Sequence, residues 1–184
     1  FSFIFLLSFS FVYAIEGNTW VGESEITMFK GWNLVMGFIH PNQLEEQELA
    51  GSHIKAVFAF LPEKQIYARV YPNPEEDKLS SITEEELYQT SLWVYSDKTS
   101  KTEFWVDEEL LPLVNRSFLH KGYNFIGVTS DMLGVSGKPA FKDLIGDCNI
   151  EKAYFFNPEE QNWVAFPMDE ELSREALGLG MVLK

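Results

Sequence analysis

Short apolar runs separated by polar turns recur along most of this chain. Residues 57–60 and 153–156 are rich in aromatic and β-branched side chains, and each run ends at a Pro-Glu-x-Gln turn. Proline supplies the fixed φ of a turn's second position, so each run and the aromatic run after it predict a β-hairpin. Residues 92–95 and 102–106 alternate about a polar turn and predict a third hairpin.

Helical signals are confined to two short segments. Ser81 or Thr83 can serve as an N-cap, with glutamates in the first turn that follows, and residues 168–177 have a similar pattern. We expect two short helical turns, each leading into the last strand of its half of the chain.

Two blocks of sequence occur twice, in the same order. Residues 30–35, Lys-Gly-Trp-Asn-Leu-Val, return at 121–126 as Lys-Gly-Tyr-Asn-Phe-Ile. Residues 54–65 align without gaps to residues 150–161, and an aromatic-bearing strand follows each copy. The shared order and the similar spacing indicate gene duplication.

The expected fold is therefore all-β, an antiparallel sandwich or flattened barrel made of two similar repeat units. The units span residues 30–110 and 118–184, pack as one domain and follow a lead-in at 15–29. The closing segment consists of Gly180, Met181, Val182 and Leu183. We expect it to be an edge or exchanged strand through which the protein assembles.

Gly-Trp-Asn-Leu at 31–34, a hairpin with Asn-Pro-Glu-x-x-x-Trp at 157–163, and a closing strand that contains glycine form one pattern. It resembles the duplicated "GWN" β-modules of secreted and cell-envelope proteins of archaea and bacteria. The resemblance covers most of residues 30–184 in two copies and implies no activity. Residues 91–93 depart from it, since Ser-Leu-Trp replaces the Gly-x-Gly-aromatic of such modules.

The first 14 residues are typical of a secretory signal peptide. They carry no charge, consist largely of Phe, Leu and Ile, and end in Val12-Tyr13-Ala14, a small-x-small cleavage pattern. A membrane-spanning helix needs about 20 apolar residues, so this segment is too short. We expect cleavage before Ile15, no membrane span afterwards, and a secreted or cell-surface location.

The charge of the chain narrows the choice of partners. There are 28 Asp and Glu against 14 Lys and Arg, a formal charge of −14. Such a surface repels phosphate backbones, so nucleic acid is excluded as a partner. The remaining partners are a protein, a second copy of the chain, or a glycan. The single cysteine, Cys148, allows no internal disulfide.

Catalytic and metal-binding patterns are missing from the sequence. His40, His53 and His120 lie beside no nucleophile motif, and the carboxylates occur in runs typical of a solvated surface. Zinc needs paired Cys or clustered His, and neither occurs. We expect neither enzyme activity nor a cofactor, and leave open adventitious calcium on the acidic loops.

Aromatic side chains within the strands are expected to lie in the core. Tyr71 and Trp105, near turns, are instead candidate stacking platforms for a sugar ring. Asn115 opens the sequon Asn-Arg-Ser and is a candidate glycosylation site.

Together these patterns favour an exported, non-enzymatic structural or interaction module of the cell envelope, a surface layer or an extracellular filament. A carbohydrate-binding module is the alternative, and a secreted hydrolase is a weaker one.

Overall fold

A computed structural model describes residues 21–36, 52–83, 86, 89–107, 119–128, 132, 141, 147–173, 176 and 178–184. For 21–25 and 102–107 only the backbone is described. The signal-like segment 1–14 and the sequon at Asn115 lie outside this description.

Within the described residues the chain is mostly β-structure, with one short helix, α1 (Glu76–Leu79). The strands are β1 (Val21–Met28), β2 (Gly31–Val35), β3 (Ile54–Leu61), β4 (Ile66–Tyr71), β5 (Leu92–Ser96), β6 (Ser100–Asp107), β7 (Asn124–Gly127), β8 (Ala153–Asn157), β9 (Asn162–Phe166) and β10 (Gly180–Leu183).

The strands form two four-stranded antiparallel sheets and a two-stranded ribbon of β1 and β6. The first sheet has the order β2-β5-β3-β4 and the second has the order β7-β10-β8-β9. In each, the strands stand in the order first, fourth, second, third along their half of the chain. The two predicted Pro-Glu-x-Gln hairpins are confirmed, with Leu61 opposite Ile66 and Asn157 opposite Asn162.

The third hairpin prediction is wrong. β5 pairs with β2 on one side and β3 on the other, so both of its edges are occupied. β6 pairs instead with β1 along its whole length. A polar turn between two alternating runs does not reveal that the chain leaves one sheet for another.

The assembly edge predicted at Gly180–Leu183 must also be corrected. These residues form β10, which lies between β7 and β8 and is hydrogen-bonded to both. All of its side chains are buried. The segment is a central strand, and it cannot accept an added strand.

One predicted helix cap is confirmed by its hydrogen bonds. The backbone N–H of Thr83 donates to Oε2 of Glu86 at 2.8 Å, and the backbone N–H of Glu86 donates to Oγ1 of Thr83 at 3.2 Å. This reciprocal pair is a capping box. The helix α1 comes earlier in the chain and was not predicted.

The described strands form no closed barrel, and the two sheets pack face to face as a sandwich. An inner core of apolar side chains fills the space between them, namely Leu34, Phe60, Phe125, Phe156 and Val182. Each sheet also has an outer core on its other face, with Val57 and Val94 in the first sheet and Met181 and Leu183 in the second. Because central strands are covered on both faces, they read as continuous apolar runs.

A glutamine side chain joins the second sheet to the first. Nε2 of Gln161 donates to the carbonyl of Trp32 at 2.8 Å, and the backbone N–H of Trp32 donates to Oε1 at 2.9 Å. The same side chain lies over Gly31, where φ is +107° and an added Cβ would stand 2.7 Å from Oε1. The backbone conformation therefore favours glycine at this position, and an added Cβ would also displace the Gln161 amide from its hydrogen bonds.

An equivalent glutamine of the first sheet contacts the second sheet in the same way. Gln65 binds the backbone of Tyr123, donating through Nε2 at 2.9 Å and accepting through Oε1 at 2.8 Å. It lies over Gly122, whose φ is also +107°. Each sheet thus holds the first strand of the other, the reciprocal pattern of an isologous interface.

Candidate binding surface

Aromatic side chains extend from the inner core to the surface on one side of the sandwich. Successive side chains of a strand point to opposite faces, so Trp32, Phe58 and Trp93 all project from the first sheet towards the second. The Trp32 ring lies 5.9 Å from Phe58 and 6.1 Å from Trp93, centroid to centroid.

These rings line a first cleft of about 620 Å³, which also touches Tyr67 and Phe156. The side chain of Gln161 brings an amide group to this cleft, but that amide already forms a hydrogen bond with the backbone of Trp32. The first cleft therefore offers mainly apolar surface.

A second cleft of about 690 Å³ lies at the equivalent place in the other half. Three tyrosines line it, Tyr67, Tyr123 and Tyr154, together with Trp163 and inner-core side chains. The rings of Tyr67, Tyr123 and Trp163 are 46–47% exposed. Phenol and indole groups make this cleft more polar than the first.

Tyr67 lines both clefts, and its phenol lies close to the side chain of Trp93. Partial burial raises the pKa of the Tyr67 phenol, and a hydrogen bond from the indole N–H of Trp93 opposes that rise in part. The phenol therefore stays neutral and keeps its O–H as a hydrogen-bond donor.

The outer edge of β4 is closed by a carboxylate. The backbone N–H of Arg69 donates to Oε2 of Glu75 at 2.7 Å, and the backbone N–H of Glu75 donates to the carbonyl of Arg69 at 2.9 Å. Nζ of Lys78 binds the same carboxylate at 2.8 Å. The hydrogen bonds from Lys78 and from the Arg69 backbone hold the pKa of Glu75 below its ordinary value.

At the equivalent edge of β9, the described part of the chain provides no such cover. Ala165 pairs with Tyr154 as Arg69 pairs with Phe58, so its backbone N–H and carbonyl point away from the sheet. No residue of the described part of the chain hydrogen-bonds to them. Trp163 and Val164 are 46% and 47% exposed, and Ala165 is exposed as well. An uncovered apolar edge is a template for pairing with another chain.

Of the two predicted stacking residues, only Tyr71 has a described side chain, and it does not line either cleft. Tyr71 packs against the outer core of the first sheet. Trp105 belongs to β6, and its side chain lies outside the described residues. The exposed rings are Tyr67, Tyr123 and Trp163, which the sequence pattern assigned to the core. Their recurrence is the signal that could have identified them, since residues 67 and 163 both lie two positions after a Pro-Glu-x-Gln turn.

Other chemistry is sparse. His53 contacts Asp97 at 3.3 Å, between Nδ1 and Oδ1, in an exposed pair beside the turn after β5. Across the described ranges, no three or more His, Cys, Asp or Glu residues are grouped to hold a metal ion. No helix in the described part is long and apolar enough to cross a membrane.

Comparison of the chain with protein-family models, with curated proteins and with solved structures gives no match. Within the described residues, two features can bind another molecule, namely the pair of aromatic clefts and the uncovered edge of β9.

Proposed function

We propose that this protein is a non-enzymatic interaction module that binds a partner protein by strand addition at the free edge of β9. The contrast between two equivalent strands carries the proposal. Glu75 closes the edge of β4 at Arg69, whereas Ala165 on β9 has no such partner among the described residues. Unpaired backbone groups on an exposed edge gain hydrogen bonds from an added strand.

The proposed place of action is the cell envelope, a surface layer or an extracellular filament. The signal-like composition of residues 1–14 and the resemblance to secreted "GWN" modules support export. The formal charge of −14 favours protein or glycan partners over nucleic acid.

We also infer that the two sheets are copies of one duplicated unit. Their equal strand order, and the equal φ of Gly31 and Gly122, support this inference. Two residues in equivalent positions, Met36 and Gly127, also pack against each other, because a Cβ added at Gly127 would strike the Met36 side chain. Contact between equivalent residues is expected where two related units meet at a two-fold axis. On this view one edge was closed after duplication and the other was left open.

Selection of displayed random peptides on the full-length chain tests strand addition. We expect the selected peptides to lose binding to Ala165→Pro, which removes the backbone donor and blocks the ladder. Ala165→Val keeps that donor and is the matched control. Peptides that bind both variants equally would show that β9 is not the binding edge.

A carbohydrate-binding module is the second candidate, and the second cleft favours it. Exposed aromatic faces bury the apolar side of a sugar ring, while the phenol and indole groups there can bond its hydroxyls. In that case specific glycan binding should be lost in Tyr123→Ala and retained in Ala165→Pro. Glycan affinity without peptide affinity would favour this candidate over strand addition.

A further inference from the structure

The open edge of β9 lies between two acidic segments. Glu159 and Glu160 occupy the turn before the strand, and both are exposed. Residues 169–171, Asp-Glu-Glu, follow the strand and are also exposed. A strand laid along β9 therefore meets carboxylates at both of its ends.

The middle of β9 has a different character. Trp163 and Ala165 point to the inner face of the sheet, and Val164 points to the outer face. All three are exposed, so apolar surface faces an added strand on both sides. The equivalent of Val164 in the first sheet is Ala68, which is fully buried.

Building on the strand addition proposed above, we propose that the partner is an extended segment of a different protein, apolar at its centre and bearing Lys or Arg at both ends. Its backbone pairs with Trp163 and Ala165, and its central side chains cover Trp163 and Val164. Its terminal cations face Glu159 and Glu160 at one end and residues 169–171 at the other. Complementary charge at the rim of an interface governs the choice of partner and the rate of association.

A second copy of this chain does not satisfy the same surface. Antiparallel pairing of β9 with β9 places the turn at 159–160 of one copy beside residues 169–171 of the other. Like charges opposed across a ladder are destabilising. The formal charge of −14 on each copy adds long-range repulsion. The acidic residues at the two ends of β9 therefore disfavour self-association through this edge.

Two synthetic peptides with one centre, Val-Thr-Val-Thr-Val, test the proposal against the full-length chain. One carries Lys-Lys at both ends, and the other carries Glu-Glu. Fluorescence anisotropy should show the lysine peptide binding at least about tenfold more tightly, with the difference lost in about 1 M NaCl, where charges are screened beyond about 3 Å. Reversing the charge of the turn with Glu159→Lys and Glu160→Lys should weaken binding of the lysine peptide and strengthen binding of the glutamate peptide.

A lysine peptide N-methylated at alternate residues keeps its charge but cannot pair along β9, so it should not bind. This control needs no protein variant and complements Ala165→Pro. Equal binding of the two charged peptides, lost on N-methylation, would overturn the basic partner and leave strand addition standing. Binding that survives N-methylation would remove both proposals. Failure of both peptides to bind, or self-association of the chain detected by sedimentation, would contradict the basic partner.

Discussion

At the scale of single residues, the side chains of Asn33 and Asn124 explain why both repeated blocks contain asparagine at the same position. Asn33 closes the turn before β2, accepting from the backbone N–H of Phe29 at 2.8 Å and donating to its carbonyl at 2.9 Å. Asn124 makes the same pair of bonds with His120. The repetition of Gly-aromatic-Asn was visible in the sequence, and these bonds give its local reason.

The glutamine of the Pro-Glu-x-Gln turn acts over a longer distance. Gln161 and Trp32 are separated by 129 positions in the chain. No local pattern predicts such a contact, so the sequence showed that glutamine recurs without showing what it binds.

The two glutamines should contribute equally to stability. Gln65→Ala and Gln161→Ala each remove three hydrogen bonds to backbone groups, two to the other sheet and one within the turn. The site is exposed, so the loss should cost about 1–2 kcal/mol. Urea denaturation of both variants measures the loss. The exposed turn variant Glu63→Gln is the control and should change little. A large loss in one glutamine variant with none in the other would contradict the reciprocal contact.

At the scale of elements, the sequence predicted which segments are strands better than it predicted their partners. Proline and the aromatic runs identified the β3–β4 and β8–β9 hairpins, because hairpin pairing is local. The partners of β5 and β10 were missed because each lies between strands that are distant in sequence. The sequence of a short last strand does not show whether that strand is central or at an edge.

The closed edge of β4 should depend on the ionised Glu75 carboxylate. The pKa of Glu75 is lowered in the folded protein, so its contribution to stability is present above the ordinary carboxyl pKa and is lost as pH falls through the lowered value. Glu75→Gln should therefore lower the melting temperature at neutral pH and have little effect in strong acid. Glu76→Gln, at the next residue and the first of α1, is the control. A Glu75→Gln effect that did not change with pH would argue against this role.

At the scale of the whole molecule, an all-β sandwich follows from the sequence, since most of the chain consists of short apolar runs. The two aromatic clefts and the open edge could not be predicted. They depend on how the sheets face each other and on which edge receives a cover such as Glu75. Both features depend on tertiary contacts between residues that are far apart in the chain.

If the halves are related by a two-fold axis, Met36 and Gly127 should be exchangeable. Met36→Gly alone should cost about 2–5 kcal/mol through the cavity it leaves. Gly127→Met alone should cost about 1–3 kcal/mol through overpacking. The double variant should recover about 1–3 kcal/mol relative to the sum, because the side chain then fills the same space from the other half.

Met28→Gly combined with Gly127→Met is the control for this exchange. Met28 lies in the outer core of the first sheet, so the two losses should simply add. Equal additivity for the Met36 and Gly127 pair, read from urea denaturation, would contradict the two-fold relation.

Amide hydrogen exchange on the full-length chain compares the edge of β9, which no described residue covers, with the closed edge of β4. Arg69 and Ala165 occupy equivalent places, and only Arg69 donates to a carboxylate that covers its edge. We expect a strongly protected Arg69 amide and a rapidly exchanging Ala165 amide in the same spectrum. Protection of Ala165 equal to that of Arg69 would show that the β9 edge is already covered and would contradict strand addition there.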